Sequence, residues 1–171
     1  MILIAYASKY GSSREIAEHI ARRVREKGKQ AEVRSTEVLG ELGKPEAVIL
    51  GSGLYNGAWL PDAVTFARAN GAALARVPTW PFSVGPLGIT VEDAQEQPAE
   101  LATLRERIGP RHHVGFAGAL DYGKLSHADR MTMKAAGAHE GDFRNWSAIN
   151  DWTDKIVAAP GLNSSTRSQT S

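Results

Sequence analysis

Ile2-Leu3-Ile4-Ala5-Tyr6-Ala7-Ser8-Lys9-Tyr10-Gly11-Ser12-Ser13 opens with an apolar run and turns abruptly into hydroxyls and glycine. Six apolar residues in a row predict a central strand buried on both faces. From Ser12 to Lys27, Ile16, Ile20 and Val24 recur at four-residue spacing, and Ala17 and Ala21 widen the same stripe. That is one apolar face of a helix, which Gly28 ends. The loop between strand and helix then has a chemical meaning. The hydroxyls of Ser8, Ser12 and Ser13 can donate to phosphate oxygens, and Gly11 permits a turn that points N–H groups inward. The helix N-terminus behind them favours an anion. The loop therefore reads as a phosphate cradle. It lacks the spacing of the nucleoside-triphosphate loop and the Gly-x-Gly-x-x-Gly of dinucleotide binders. A plain helix start with Ser12 as N-cap fits the same residues.

Outward from this unit, strand and helix signals alternate. Ala31 to Arg34 and Ala47 to Leu50 read as strands, the latter ending at Gly51-Ser52-Gly53. Asp62 to Leu74 reads as a helix starting after Pro61, where proline is tolerated. Thr79 to Ser83 reads as a fourth strand followed by the loop Val84 to Gly88. Ala99 to Ile108 reads as a helix stopped by Gly109-Pro110. His113 to Ala117 reads as a fifth strand ending at Gly118-Ala119-Leu120-Asp121-Tyr122. Helical signals return from His127 to Ala136 and from Trp146 to Ala158. The expectation is an α/β fold: a doubly wound, five-stranded parallel sheet with helices on both faces, in one domain over residues 1–160. The Ser/Thr-rich tail over 161–171 is expected to be disordered.

Composition excludes several classes. The 171 residues suffice for one full-sized core, with 42% hydrophobic and 23% charged residues. No apolar run approaches the roughly 18–20 residues that span a bilayer. The N-terminus carries no basic leader, so no signal peptide is expected. The absence of cysteine rules out disulfides, thiolate metal sites and cysteine nucleophiles, and it suits the cytoplasm. A formal net charge of +1 gives no excess for nucleic acid or a membrane surface.

In open parallel sheets ligands sit at the carboxyl ends of the strands. After the third strand comes Ser52-Gly53-Leu54-Tyr55-Asn56-Gly57-Ala58-Trp59, with glycines for close approach and two aromatic faces. After the fourth comes Ser83-Val84-Gly85-Pro86-Leu87-Gly88. A phosphate cradle between two glycine-containing walls suits an aromatic ring with a phosphate tail. Ordinary turns are the competing reading, and for Trp59 packing is preferred.

The chain resembles the flavodoxin-like family, and within it the menaquinone-dependent protoporphyrinogen oxidases. Ile2 to Ala17, Gly51 to Gly57 and Phe82-Ser83-Val84 carry the likeness. So do Phe116-Ala117-Gly118-Ala119-Leu120-Asp121-Tyr122, which points to the oxidase branch, and Gly141 to Trp146. The resemblance implies FMN, with its phosphate at Ser8, Lys9, Tyr10, Gly11, Ser12 and Ser13. It implies Leu54, Tyr55, Asn56 and Gly57 on one side of the isoalloxazine ring, and Ser83, Val84, Gly85 and Pro86 on the other. Asp121 joins these cofactor positions, and no side chain is required as acid or base. The phosphate loop is rich in serine where the family favours threonine, and the segment from Tyr122 to Gly141 is shorter than the long basic insertion of the bacterial oxidases. The implied partner is a small-molecule substrate, with a redox protein as the alternative if the chain is an electron carrier. A deazaflavin is the alternative to FMN.

Other residues point elsewhere. His112 and His113 face opposite sides of a strand and form no metal pair. His19 and the basic run Arg22, Arg23, Arg25, Lys27 and Lys29 read as a solvated helix face. His127 and His139 lie near the exit of the last strand. Asp121 and Asp129 do not make a phosphoacceptor site, because serine and glycine stand where such a site needs acids. Ser8 lacks the Gly-x-Ser-x-Gly setting of a nucleophile.

Overall fold

A computed structural model describes residues 1–85, 102–104, 106 and 113–162. Its elements in chain order are β1 (Ile2–Ala7), α1 (Ser12–Glu26), β2 (Ala31–Ser35), β3 (Ala47–Tyr55) and β4 (Ala58–Trp59). There follow α2 (Pro61–Ala69), α3 (Gly71–Leu74), β5 (Thr79–Gly85), β6 (Val114–Ala117) and β7 (Ala119–Leu120). A 3₁₀ turn (Tyr122–Lys124), α4 (His127–Ala135), β8 (Gly141–Asp142) and α5 (Trp146–Val157) are the last of those described. Pro86, Leu87, Gly88, His112, most of the helix expected over 99–108 and the tail from 163 lie outside the described residues.

Five parallel strands run in the order β2-β1-β3-β5-β6, the doubly wound parallel sheet expected from the alternation of strand and helix signals. The strand period of two sorts β1 between two cores. Ile2 and Ile4 face Ile16, Ile20 and Val24 of α1 and Ile149 and Ile156 of α5. Leu3, Ala5 and Ala7 face Ala63, Phe66 and Ala67 of α2, with Leu74 and Leu104. Both faces of β1 are therefore covered, which is why its sequence is apolar without alternation. β2 is the partly exposed edge. Gly51 of β3 lies under the Phe82 ring so closely that an added Cβ would stand 2.0 Å from its Cζ.

Three departures from expectation have local causes. β3 runs past Leu50 because Leu54 and Tyr55 pair antiparallel with Trp59 and Ala58. Asn56 (φ 52°) and Gly57 (φ 76°) form the two-residue turn between them, the left-handed pair that a hairpin prefers. The helix expected from 62 to 74 breaks at Asn70. Its buried amide donates to the Gly40 and Phe66 carbonyls, each at 3.1 Å, and its oxygen accepts from the Leu42 N–H at 3.0 Å. That side chain competes with the helix for backbone partners and ties the 40–42 loop to the core.

The third departure concerns the helix face read as solvated. His19 hydrogen-bonds Asn150 at 2.8 Å and packs against the Trp146 ring, 4.6 Å between centroids. Arg23 makes a two-pronged pair with Asp154 at 2.7 Å, and Lys27 reaches the same carboxylate at 3.1 Å. Part of the basic run thus fastens α1 to α5. The two cations hold the Asp154 carboxyl down at about 2. Among the described residues no helix is long and apolar enough to cross a membrane.

Candidate functional site

A cavity of about 300 Å³ opens at the carboxyl ends of β1, β3, β5 and β6. Its floor is the Ser8–Ser13 loop. Gly11 is the N-cap of α1 with φ 96°, and no side chain caps the helix. Ser12 is therefore not the cap, and the first N–H groups of α1 have no side-chain acceptor competing for them. The Ser8 hydroxyl accepts from the Gly11 N–H at 3.0 Å and closes the loop. The Ser12 hydroxyl accepts from the Ala119 N–H at 3.0 Å and keeps its own proton to donate. Ser13 is buried and lines the cavity beside Gly53.

The side walls come from both cores. Leu54 and Tyr55, at the end of β3, form one; Val84 and Gly85, at the end of β5, form another. Asp121 lies at the rim, where it caps the 3₁₀ turn by accepting from the Gly123 N–H at 2.8 Å. Gly11, Asn56, Gly57 and Ser83 are not in the cavity wall. Asn56 and Gly57 are occupied by the hairpin turn. Ser83 is fully buried; its hydroxyl accepts from Trp59 Nε1 at 2.8 Å and lies 2.8 Å from His113 Nε2. Trp59 is buried in the α2-side core, as packing demanded.

A third wall was anticipated from the sequence only at Asp121. Residues 118–144 form a cap built from the β7–β8 ribbon, the 3₁₀ turn and α4. Leu120, Leu125, Met133 and Arg144 face the cavity from it. Gly118 starts the cap in a gap where a Cβ would meet Ser12 Oγ and Val84 Cγ1 at 3.0 Å, so only glycine passes between loop and strand without displacing them. The Tyr10 ring packs with Leu120, Leu125 and Met133, and the Tyr10 phenol donates to Asp129 of α4. Tyr55 donates to the other oxygen of Asp129, and Lys9 pairs at 2.9 Å with the oxygen that Tyr10 meets. These three donors hold the Asp129 carboxyl well below the usual carboxylate range, the tyrosines contributing most. At the other end Arg144 binds Asp142 with two prongs, reaches Glu15 on the first turn of α1 and lies over the Trp146 ring, 4.7 Å away. Its contact holds the Asp142 carboxyl below its ordinary range.

The sequence gives a partial hint of α4: Ser126 stands three residues before Asp129 as an N-cap should, and accepts its N–H at 3.2 Å. Nothing local says that the same carboxylate turns back to residues 74 and 119 positions away. Among the described residues no group of His, Cys, Asp and Glu is arranged to hold a metal ion.

A family model described as "Flavodoxin domain" matches residues 3–145, and the chain belongs to that family. Solved structures share the fold at low identity. A short-chain flavodoxin associated with a non-canonical PDU bacterial microcompartment is 11% identical, with 91% of this chain and 95% of that one covered and a TM-score of 0.62. The flavodoxin of Streptococcus pneumonia TIGR4 is 12% identical, with 92% and 97% covered and a TM-score of 0.59. A rubredoxin oxygen:oxidoreductase from Desulfovibrio gigas is 18% identical at a TM-score of 0.54; 92% of this chain is covered, but only 37% of that one. A comparison with curated proteins returns no match.

Proposed function

We propose that the chain is an FMN-binding redox protein. The observation that carries this reading is the convergence of an uncapped helix N-terminus, a serine loop and two strand-end walls on one cavity. The donor set fits a phosphate monoester. Backbone N–H groups of the first turn of α1, with the Ser12 and Ser13 hydroxyls, would hold the phosphate without a cation. Leu54, Tyr55, Val84 and Gly85 would flank the ring. FMN would supply the one- and two-electron chemistry. The protein's task is orientation: the ends of β3 and β5 set the walls, and the cap covers one side.

The finer reading is an oxidoreductase acting on a small molecule of the protoporphyrinogen or quinone type. Its support is the Phe116–Tyr122 stretch, which roots the cap, and the net charge of +1, which lacks the acidic excess that an electron carrier uses to find basic partners. The carrier reading predicts rapid exchange with a reductase and no small-molecule turnover. The test begins with the absorbance of the purified protein. A yellow protein whose pigment is released by acid and identified as FMN supports the reading. A colourless protein that takes up no added FMN contradicts it, and a deazaflavin would replace the cofactor. Protoporphyrinogen oxidation with a quinone acceptor then separates enzyme from carrier.

A further inference from the structure

Among the described residues, the flavin reading leaves one buried charge without a task. Asp129 is 4% exposed and sits in the first turn of α4. A helix start does not need its carboxylate, because Ser126 already supplies the cap. Yet the carboxylate collects the Tyr10 phenol, the Tyr55 phenol and the Lys9 ammonium. Lys9 in turn lies over the Tyr55 ring, 4.2 Å from ammonium to centroid. Lys9, Tyr10 and Tyr55 line the cavity, whereas Asp129 does not. The anion thus sits outside the cavity wall and holds three side chains that form it.

Resting on the flavin reading above, we propose that Asp129 is a positioning residue of the cofactor site. It pins Tyr10 and Tyr55 and cancels the charge of Lys9, so that a bound ring meets a neutral aromatic wall and not a free ammonium. An unpaired cation beside the ring would favour its more negative, reduced form, and an unpaired carboxylate would favour the oxidised form. Removing either member of the pair must therefore shift the reduction potential in opposite directions. A clasp with a purely structural role has no such sign rule: both variants would loosen the site alike.

The experiment loads the wild type, Asp129→Asn, Lys9→Met and the double variant with FMN, and measures midpoint potentials and FMN affinities. The potential is expected to rise in Asp129→Asn, fall in Lys9→Met and return near the wild-type value in the double variant. Each single change alters the ratio of affinities for reduced and oxidised flavin by about tenfold, which is about 30 mV for a two-electron couple. Shifts of the same sign, or unchanged potentials, overturn the proposal. Should Asp129→Asn fail to fold, Lys9→Met still decides it, because the Lys9 side chain is 45% exposed. A second readout needs no flavin. Asp129 raises the Tyr55 phenol above its ordinary range of ionisation. In the cofactor-free protein, Asp129→Asn is expected to bring one phenol titration back down, with Tyr55→Phe assigning it. If the wild type binds no FMN, the flavin reading fails by itself; a lowered phenol titration then still supports the pinning of Tyr55, and an unchanged one overturns it.

Discussion

The sheet side and the cap side of the cavity are built from different physics. On the sheet side, Ile2, Ile4 and Phe82 are fully buried, and the loops that form the floor and walls leave from strands fixed by apolar packing. On the cap side, Leu120 and Leu125 make a small apolar cluster that takes in the Tyr10 ring, and the rest of the docking onto the sheet is polar: Asp129 to Tyr10, Tyr55 and Lys9, and Arg144 to Glu15. Apolar burial carries no proton to titrate, whereas paired charges respond to pH and are screened by salt. The sheet side should therefore fail as a whole, and the cap side should fail locally.

The largest expected effect comes from cutting into the sheet. Phe82→Ala removes a fully buried ring and is expected to cost about 3–5 kcal/mol of global stability. Gly51→Ala drives a Cβ into the same ring from below and is expected to lower the thermal midpoint as well. If either variant loosened the cap while sparing β1 and β3, the contrast between the two sides would break. Asp129→Asn comes next. It is expected to lower the opening free energy of the cap by about 1.5–3 kcal/mol, as for hydrogen bonds to a charged group. Hydrogen exchange should then speed up in α4 and in the β7–β8 ribbon, with the β1 and β3 amides unchanged.

The pH dependence sharpens the same contrast. The Asp129 carboxyl is held below its ordinary value of 3.8, so the unfolded chain binds the proton more readily. Its stabilisation is present above pH 3.8 and is lost as pH falls through its lowered value. Lys9 is raised above 10.5, so its share is present below that pH and lost as pH climbs through the raised value. Cap amides should stay protected across the neutral range and become exposed first at both extremes, before the sheet melts. The smallest effect is expected at the α1–α5 seam. Arg23→Ala breaks an ion pair that is about one-third exposed, and the change in a denaturant melt should be slight and should fade with added salt.

The contrast also explains what the sequence displayed. The sheet side was legible because its signals are local: six apolar residues for β1, a four-residue stripe for α1, and a glycine and hydroxyls between them. The strand order was not among these signals; it rests on the connection rules of doubly wound sheets. Asn56-Gly57 carries a local signal too, that of a tight hairpin, and the structure forms that turn. The break at Asn70 was hidden because its amide finds partners at residues 40 and 42. The cap was the least legible. Its helix could be read from His127 to Ala136, yet its role rests on an aspartate that meets Tyr10 across 119 positions, and no periodicity encodes such a pairing. Ser83 sat at a strand end where the alternation of sides decides everything, and it faces Trp59 and His113 instead of the cavity.

The most direct test of the phosphate loop compares FMN with riboflavin, which differ only in the phosphate group. Apoprotein is titrated with each, and the quenching of flavin fluorescence is followed. A loop over Ser8–Ser13 that holds the phosphate through two or more charge-assisted hydrogen bonds should favour FMN by about a hundredfold or more. Equal affinities for the two flavins, or no quenching by either, would contradict a phosphate site at this loop.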